Sequence, residues 1–285
     1  MATEKNKVQG GTLYLVGTPI GNLSDISERA VKVLTEVDFI AAEDTRNSLK
    51  LLLALGIKNE LISYHEHNRK SSGERILARL LAGESCALVT DAGMPAISDP
   101  GEDIVGLCAE SGVTVVVVPG PCAAVSALAL SGLPTSRFAF EGFLPAVKGE
   151  RRARLDAVAR EERTMIFYEA PHKLCGTLEA MAEVLGSDRR IALCREMTKL
   201  NEQTLRMTLG EAIDYYSERE PRGEYVLVLE GYSGGEACES PCYDDDPEVH
   251  VSNYQAKGLS RMDAIKQAAR DRGISKSEMY KLVNV

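Results

Sequence analysis

The residues of this chain whose types and spacing could do chemistry lie on three short loops rich in glycine and proline. The first reads Leu15-Val16-Gly17-Thr18-Pro19-Ile20-Gly21-Asn22. The second reads Asp91-Ala92-Gly93-Met94-Pro95-Ala96-Ile97-Ser98-Asp99-Pro100-Gly101, and the third Val118-Pro119-Gly120-Pro121-Cys122-Ala123. Each follows an apolar, β-branched run and precedes a helical pattern, which puts all three at the carboxyl edge of one sheet, where open α/β folds bind ligands. Glycine lets backbone approach a ligand closely and proline stiffens the loop; three such loops predict a pocket built largely from main chain. It is not a phosphate cradle. Gly17 and Gly21 flank Thr18-Pro19-Ile20 instead of forming Gly-x-Gly-x-x-Gly, and no Gly-x-x-x-x-Gly-Lys-Ser/Thr occurs. Carbonyls and short side chains of this kind suit a neutral or cationic ligand, a sulfonium nucleoside among them.

Asp91 and Asp99 are either caps or ligand contacts. Their place in one loop with two prolines and two glycines favours the ligand role. Tyr64-His65-Glu66-His67-Asn68 sets His65 and His67 on one face of an extended segment. With no third convergent ligand evident, polar contact to a substrate or structural hydrogen bonding outweighs metal binding.

Two blocks of elements must position these residues. From 11 to 132 strand and helix alternate. Strands are expected at Gly11–Gly17, Phe39–Ala42, Leu61–Tyr64, Cys86–Thr90 and Val113–Val118. Helices are expected near Ile26–Glu36, Asn47–Leu55, Gly73–Leu81, Asp103–Ser111 and Ala123–Ser131. Repeated strand–helix units with continuously apolar strands mean a mostly parallel sheet covered on both faces, and Gly56, Gly83, Gly112 and Gly132 sit where helix C-caps belong. The next block predicts strands at Phe138–Phe143, Thr164–Tyr168, Arg190–Arg195, Leu205–Leu209 and Glu224–Glu230. Fewer helices lie between them (Glu150–Arg160, Lys173–Leu185, Gly210–Ser217), hence a mixed sheet with antiparallel pairs. The expected division is 11–134 and 135–231 for two α/β domains, 232–248 for an acidic linker and 249–285 for a helical hairpin capped at Ser275.

Composition bounds the rest. The chain has 285 residues, 44% of them apolar, and a net charge of −9. That balance excludes indiscriminate nucleic-acid binding by the whole surface, yet the charge is uneven. Lys148–Arg160 holds five basic residues against two acidic ones, and Lys257–Lys281 seven against three, while Glu236–Glu248 is purely acidic among its charged residues. Such patches can contact phosphates or be solvated faces. The seven cysteines are scattered, mostly in apolar runs, so Cys238 and Cys242 make a poor zinc site and a reducing cytoplasm is expected. No apolar run approaches the roughly 20 residues of a membrane span, and the first ten residues are expected to be a frayed tail without a signal-peptide pattern.

Six motifs occur in order: Leu-Val-Gly-Thr-Pro-Ile-Gly-Asn-Leu from Leu15, Ala-Glu-Asp-Thr-Arg from Ala42, Tyr-His-Glu-His-Asn from Tyr64, Asp-Ala-Gly-Met-Pro-Ala-Ile-Ser-Asp-Pro-Gly from Asp91, Pro-Gly-Pro-Cys-Ala from Pro119 and Phe-Tyr-Glu-Ala-Pro-His from Phe167. Through them the chain resembles the tetrapyrrole methylase superfamily from about Gly11 to Gly231, and within it the branch acting on small-subunit ribosomal RNA. Cys122 stands where that branch commonly has serine. The resemblance implies an α/β fold of two domains with the ligand cleft between them, plus a small C-terminal helical appendage, in a homodimer. It implies S-adenosylmethionine as methyl donor and a ribose 2′-hydroxyl acceptor on a cytidine of small-subunit rRNA near the decoding centre, free or in the assembled subunit. Donor-binding residues on this reading are Pro19, Asp91, Ala92, Gly93, Ala96, Ile97, Ser98, Gly120 and Pro121, with Tyr168 and Ala170 closing the site. His65, His67, Glu169 and Lys199 are candidates for the base; a lysine serves only with a depressed pKa, which needs burial or a cationic neighbour. Arg46, Lys148, Arg151, Arg152, Arg154, Arg261, Lys266 and Lys276 are the expected RNA contacts, the Glu43–Arg46 segment being read either as Asp44 capping a helix or as an RNA-facing Arg46, and no metal is expected. Two rivals stay open: a methylase of corrin-type rings, which the basic C-terminal segment disfavours, and a non-catalytic RNA-binding assembly factor, which three intact loops disfavour.

Overall fold

A computed structural model describes residues 7–232, 234, 246–256, 258–272 and 275–283. The chain divides into two compact units, Met1–Gly231 and Tyr232–Val285. The first unit opens with five strands, β1 (Thr12–Val16), β2 (Phe39–Ala42), β3 (Leu61–Ser63), β4 (Cys86–Val89) and β5 (Thr114–Val118). They form one sheet in the order β3-β2-β4-β1-β5, with every pair parallel. Successive residues on a strand point to opposite faces, and both faces are buried. Tyr14, Ile40 and Ala87 join one apolar cluster, while their neighbours Leu13, Phe39 and Cys86 join another. Helices α1 (Glu28–Glu36) and α2 (Thr45–Ala54) contribute Val33, Leu34 and Leu52 to the first cluster. Helices α3 (Arg69–Leu81) and α4 (Gly101–Glu110) contribute Ile76, Leu80 and Ile104 to the second.

Several helices between the strands are punctuated at their ends. Ser27 caps α1 by accepting from Ala30 N, and Asp44 caps α2 by accepting from Arg46 N. Gly56, Gly83, Gly112 and Gly132 all carry positive φ just beyond a helix, the left-handed geometry that side chains resist.

Helix α5 (Ala123–Ser131) leaves the third loop and packs against the second sheet, burying Ala127 and Leu128 with Ile166, Ala192 and Val228. That sheet holds β6 (Phe138–Phe143), β7 (Thr164–Glu169), β8 (Arg190–Arg195), β9 (Gln203–Thr208) and β10 (Tyr225–Leu229) in the order β6-β7-β10-β8-β9. Only β6 and β7 run parallel; the other pairs are antiparallel. Its other face is covered by α6 (Lys148–Val158), α7 (Leu174–Leu185) and α8 (Leu209–Ser217) through Leu155, Leu178 and Ala212.

The second unit contains α9 (Pro247–Ala256), α10 (Arg261–Asp271) and α11 (Lys276–Leu282) around Val251, Ile265, Ala268 and Met279. Ser275 caps α11 in a reciprocal pair with Glu278. Helix α9 was not expected: its acidic, proline-led start reads as linker, and it becomes a helix by burying His250 and Val251. Cys238, Cys242 and most of the acidic 232–248 stretch lie outside the described residues. Among the described residues no helix is long and apolar enough to cross a membrane.

Candidate active site

A cavity of about 540 Å³ opens between the carboxyl edge of the first sheet and one end of the second. Its first wall is built on loops held to one another through backbone. Thr18 and Gly93 exchange two main-chain hydrogen bonds, of 2.9 and 3.1 Å, tying the first loop to the second. The first and third loops meet glycine on glycine: a Cβ on Gly17 would stand 2.6 Å from Gly120 Cα and 2.8 Å from Gly120 N. The second loop then takes left-handed turns at Ala96 (φ 66°) and Ser98 (φ 61°). Asp99 stabilises that conformation, its Oδ1 accepting from Ala96 N (2.9 Å) and Gly101 N (2.7 Å). Burial raises the Asp99 carboxyl above the ordinary aspartate value, its backbone donors pull the other way, and nearby Glu43 raises it further. Glu43 is anchored by Thr90 Oγ1 at 2.6 Å.

The second wall is mostly side chains, brought together by strand register. Tyr225, at the start of β10, pairs with Glu169 on one side and Arg195 on the other. The ends of β7 and β8 and the start of β10 therefore share one sheet edge. Tyr168 stands between Phe140 and Phe143, with ring centroids at 5.1 and 5.5 Å, and burial pushes its phenol up to about 12. The Glu169 carboxylate, 5% exposed, accepts from Thr177 Oγ1 (2.5 Å) and Ala170 N (2.8 Å). Lys199 Nζ lies 2.9 Å from Glu196 Oε1 and 2.8 Å from Glu224 Oε2. Burial works to lower the Lys199 ammonium, but Glu224 and Glu196 together hold it above the ordinary lysine value. Glu196 is itself held low, first by the Glu224 N–H and then by Lys199.

Of the expected donor residues, Ala92, Gly93, Ile97, Ser98, Tyr168 and Ala170 line the cavity. Pro19, Asp91, Ala96, Gly120 and Pro121 do not. Asp91 instead buttresses the start of α2, accepting from Asp44 N (3.3 Å) and Asn47 Nδ2 (2.9 Å), and Gly120 serves the contact with Gly17. Of the four candidate bases, Glu169 and Lys199 face the cavity. Lys199 lacks the depressed pKa a basic lysine requires, because its neighbours are carboxylates. His65 and His67 lie elsewhere, their rings 6.0 Å apart. The segment carrying them is a turn rather than an extended face, closed by Asn68 Oδ1 accepting from His65 N (2.8 Å). Glu43, Glu196 and Glu224 are not among the expected site residues, although Glu43 lies in the motif from Ala42; a carboxylate at each strand end is a weak signal until register brings the ends together.

The lining holds five carboxylates, Glu43, Asp99, Glu169, Glu196 and Glu224, and among the described lysines and arginines only Lys199. This surplus of negative charge suits a cationic ligand. The expected RNA contacts are mostly surface groups. Arg46 is 85% exposed and paired with Asp44, whose carboxyl it holds down at about 2. On α6, Arg152 pairs with Asp156 and Glu183, and Arg154 with Glu141. Arg151 Nε is buried without a hydrogen-bond partner, and Lys148 is exposed. In the second unit Arg261, Lys266 and Lys276 are exposed.

Comparison with known proteins agrees with this architecture. The pattern of the Tetrapyrrole (Corrin/Porphyrin) Methylases matches residues 12–213. A uroporphyrin-III-C-methyltransferase from Thermus thermophilus superposes with a TM-score of 0.56 over 76% of this chain and 94% of its own, at 22% identity. Proteins called ribosomal RNA small subunit methyltransferase I are much nearer in sequence. That of Halalkalibacterium halodurans is 47% identical over 95% of this chain and 94% of its own, that of Bacillus subtilis 47% over 95% and 93%, and that of Escherichia coli O157:H7 45% over 95% and 94%. The paired sheets, the matched pattern and this level of identity place the chain in the tetrapyrrole methylase family, in its ribosomal RNA small subunit methyltransferase I branch.

Proposed function

We propose that the protein transfers a methyl group from S-adenosylmethionine to the ribose 2′-hydroxyl of a cytidine in small-subunit ribosomal RNA near the decoding centre, acting in the cytoplasm as a homodimer. The observation that carries the donor assignment is the cavity itself. Its volume lies within the range of about 300–1,000 Å³ usual for small-molecule sites. Its lining sets five carboxylates against one lysine, the charge of a receptor for a cation. The names of the relatives described above support the RNA assignment.

S-adenosylmethionine, when bound, supplies an activated methyl group on a positively charged sulfur. Ala92, Gly93, Ile97 and Ser98 would hold it from the first lobe, and Tyr168 and Ala170 from the second. The chain's own work is positioning, which can supply a large share of such an acceleration. Asp99 fixes the left-handed turns of the second loop. Thr90 aims Glu43, and Thr177 with Ala170 N aims Glu169. Phe140 and Phe143 brace the Tyr168 ring. Exposed basic groups on α6 and in the second unit would neutralise phosphates of the RNA. Val117, Val125, Leu130 and Phe138 are exposed apolar residues of the kind a dimer contact uses.

The test is incubation with S-adenosylmethionine and, in parallel, naked small-subunit rRNA, assembled small subunits and a corrin-type tetrapyrrole, followed by mass mapping. A single added methyl on a cytidine ribose is the expected result. Methylation of the tetrapyrrole alone, or of a base, overturns the reading. Calorimetry showing no binding of S-adenosylmethionine makes the chain a non-catalytic RNA-binding factor. Sedimentation giving a stable monomer at micromolar concentration removes the dimer.

A further inference from the structure

Lys199 is held at the cavity wall more elaborately than packing requires. Its Nζ sits between Glu196 Oε1 at 2.9 Å and Glu224 Oε2 at 2.8 Å. The first lobe makes room for it: a Cβ on Gly21 would stand 2.5 Å from Lys199 Cγ and 2.8 Å from Thr198 Oγ1. Glu196 is accommodated in the same way by Gly223, on which a Cβ would lie 2.6 Å from Glu196 Cδ. The backbone that carries the lysine is left-handed at Glu196 (φ 50°) and Thr198 (φ 65°). Such conformations persist only where the surroundings over-determine them, and they gather at functional sites. The described positive-φ residues other than glycine are Ala96, Ser98, Glu196 and Thr198; three of them lie on the cavity lining or, like Thr198, between two lining residues, and Ala96 belongs to the same second loop.

An ammonium has three N–H donors and no acceptor. Two are matched by Glu196 and Glu224, which leaves one for a ligand. The sign of the cluster says what kind. Two carboxylates and one ammonium sum to a net negative charge, which disfavours a phosphate or a carboxylate and favours a neutral oxygen. The position says which molecule. The Glu224 side chain is 81% exposed and Leu200, next along the chain, is fully exposed. The cluster thus stands at the mouth of the cavity, within reach of a macromolecule.

We propose that Lys199 donates its remaining N–H to the oxygen of the ribose hydroxyl that is to be methylated, fixing the acceptor at the cavity mouth. This rests on the rRNA methylation proposed above. Glu196 and Glu224 are positioning residues for the lysine, and Gly21 and Gly223 supply the space in which the three side chains meet.

The experiment compares binding of two rRNA fragments that differ only at the mapped target nucleotide, one with ribose and one with 2′-deoxyribose, to the wild-type protein and to Lys199→Met and Lys199→Arg. Wild type should prefer the hydroxyl about tenfold, the scale of one hydrogen bond to a charged group. Lys199→Met should bind both fragments equally, and Lys199→Arg should recover part of the preference. Affinity for S-adenosylmethionine, read by calorimetry, should not fall in either variant, and should rise in Lys199→Met, which removes a positive charge from the cavity; retained binding also reports that they are folded. In turnover, Lys199→Met should lose about 100-fold in kcat, the scale expected when a reacting oxygen loses its alignment. If the methionine leaves Glu196 and Glu224 repelling each other enough to unfold the loop, Lys199→Met/Glu224→Gln removes that repulsion and should give the same loss of preference. A Lys199→Met protein that still prefers the hydroxyl overturns the proposal. So does one whose S-adenosylmethionine affinity falls in step with kcat, since Lys199 would then contact the donor. Wild type that methylates no ribose overturns the parent reading as well, so the two failures are distinguishable.

Discussion

The first lobe of the cavity stands on loops locked to one another through backbone, with Gly17 against Gly120, Thr18 bonded to Gly93, and left-handed turns at Ala96 and Ser98. On its second lobe the cavity is walled by side chains, Tyr168, Glu169, Glu196, Lys199 and Glu224, mounted on the ends of three strands. The two constructions fail differently. Where backbone meets backbone there is no spare volume, so an added atom displaces main chain. A side-chain wall can lose an atom and keep its shape, so substitutions there act on hydrogen bonds and charge.

The largest effect should therefore come from the smallest addition. In Gly17→Ala the new methyl meets Gly120 Cα and N and, at 2.8 Å, Met94 Sδ. The main chain of Gly120 cannot swing aside as a side chain would. Overpacking of this kind costs about 1–3 kcal/mol, and the upper end is expected here, read from the urea midpoint, with S-adenosylmethionine affinity falling as well. Gly93→Val tests the same wall by another route. A Cβ at Gly93 would have room, 3.4 Å from Ile20 Cγ2 and from Pro121 O, but φ is 90°. Backbone strain of about 1–3 kcal/mol and a branched side chain on the cavity lining should weaken donor binding. Unchanged stability in Gly17→Ala would remove the distinction between the two walls.

On the second wall the matching test is Thr177→Val. It keeps the side-chain shape and removes the hydroxyl that donates to Glu169 Oε2 at 2.5 Å. The buried carboxylate keeps Ala170 N and is deprived of its other protein donor, at an expected cost of about 2 kcal/mol. Urea unfolding reads it, and a cost as large as that of Gly17→Ala would again erase the contrast.

The same contrast decides what was legible in the sequence. The first wall is written in residues that only one backbone geometry explains. Gly17, Gly93 and Gly120 lie at strand ends where open α/β sheets bind ligands, so the loops, the sheet and the cavity edge could be read directly. Asp91 faces α2, because a loop carboxylate beside a helix start finds N–H donors before it finds a ligand. The second wall is written in no motif. Glu196, Lys199 and Glu224 become neighbours only because β8 and β10 pair antiparallel with Arg195 opposite Tyr225, a register no local pattern encodes. Lys199 was visible as a candidate, but its role turns on Glu224, 25 residues further on. Helix α9 was missed for a similar reason: its buried face exists only once α10 packs beside it.

Asp99 joins the two kinds of wall, a side chain whose work is to hold backbone. Its folded pKa lies above the ordinary value, chiefly from burial. The folded state therefore binds a proton more readily than the unfolded chain, and stability attributable to this group falls as pH rises from the unfolded value through the folded one. Asn in its place still offers an oxygen to Ala96 N and Gly101 N and carries no charge. Asp99→Asn should thus be as stable as wild type or more so at pH 7, with the difference vanishing as the pH drops below the ordinary aspartate range. It should bind S-adenosylmethionine less tightly, because one negative charge is gone from the cavity. Thermal melts across pH with parallel calorimetry check both; an asparagine variant less stable at neutral pH would show that the ionised carboxylate holds the loop.

The smallest effect on the fold, and a specific one on the substrate, is expected away from both walls, on α6. Arg154 is a poor probe because Glu141, its partner, has a side chain only 8% exposed, and alanine there would strand a buried carboxylate. Lys148 and Arg152 are better. Lys148 is exposed, and Arg152 pairs with Asp156 and Glu183, both more than half exposed. Exposed pairs contribute about 0–1 kcal/mol, so Lys148→Ala/Arg152→Ala should shift the urea midpoint little and leave S-adenosylmethionine affinity unchanged. If α6 neutralises RNA phosphates, removing each cation–phosphate pair should weaken binding at low salt and flatten the log–log salt dependence by about 0.9 for duplex-like charge spacing, or about 0.7 for a single strand. Lys148 should account for most of the change, since Arg152 is already neutralised by its two carboxylates. The apparent KM for rRNA should rise while kcat holds, whereas at Lys199 kcat falls. A double variant that methylates rRNA with wild-type KM across the salt titration would take α6 out of RNA binding and move recognition to Arg46 and the His65–Asn68 turn, at the far end of the backbone-walled lobe's own sheet edge.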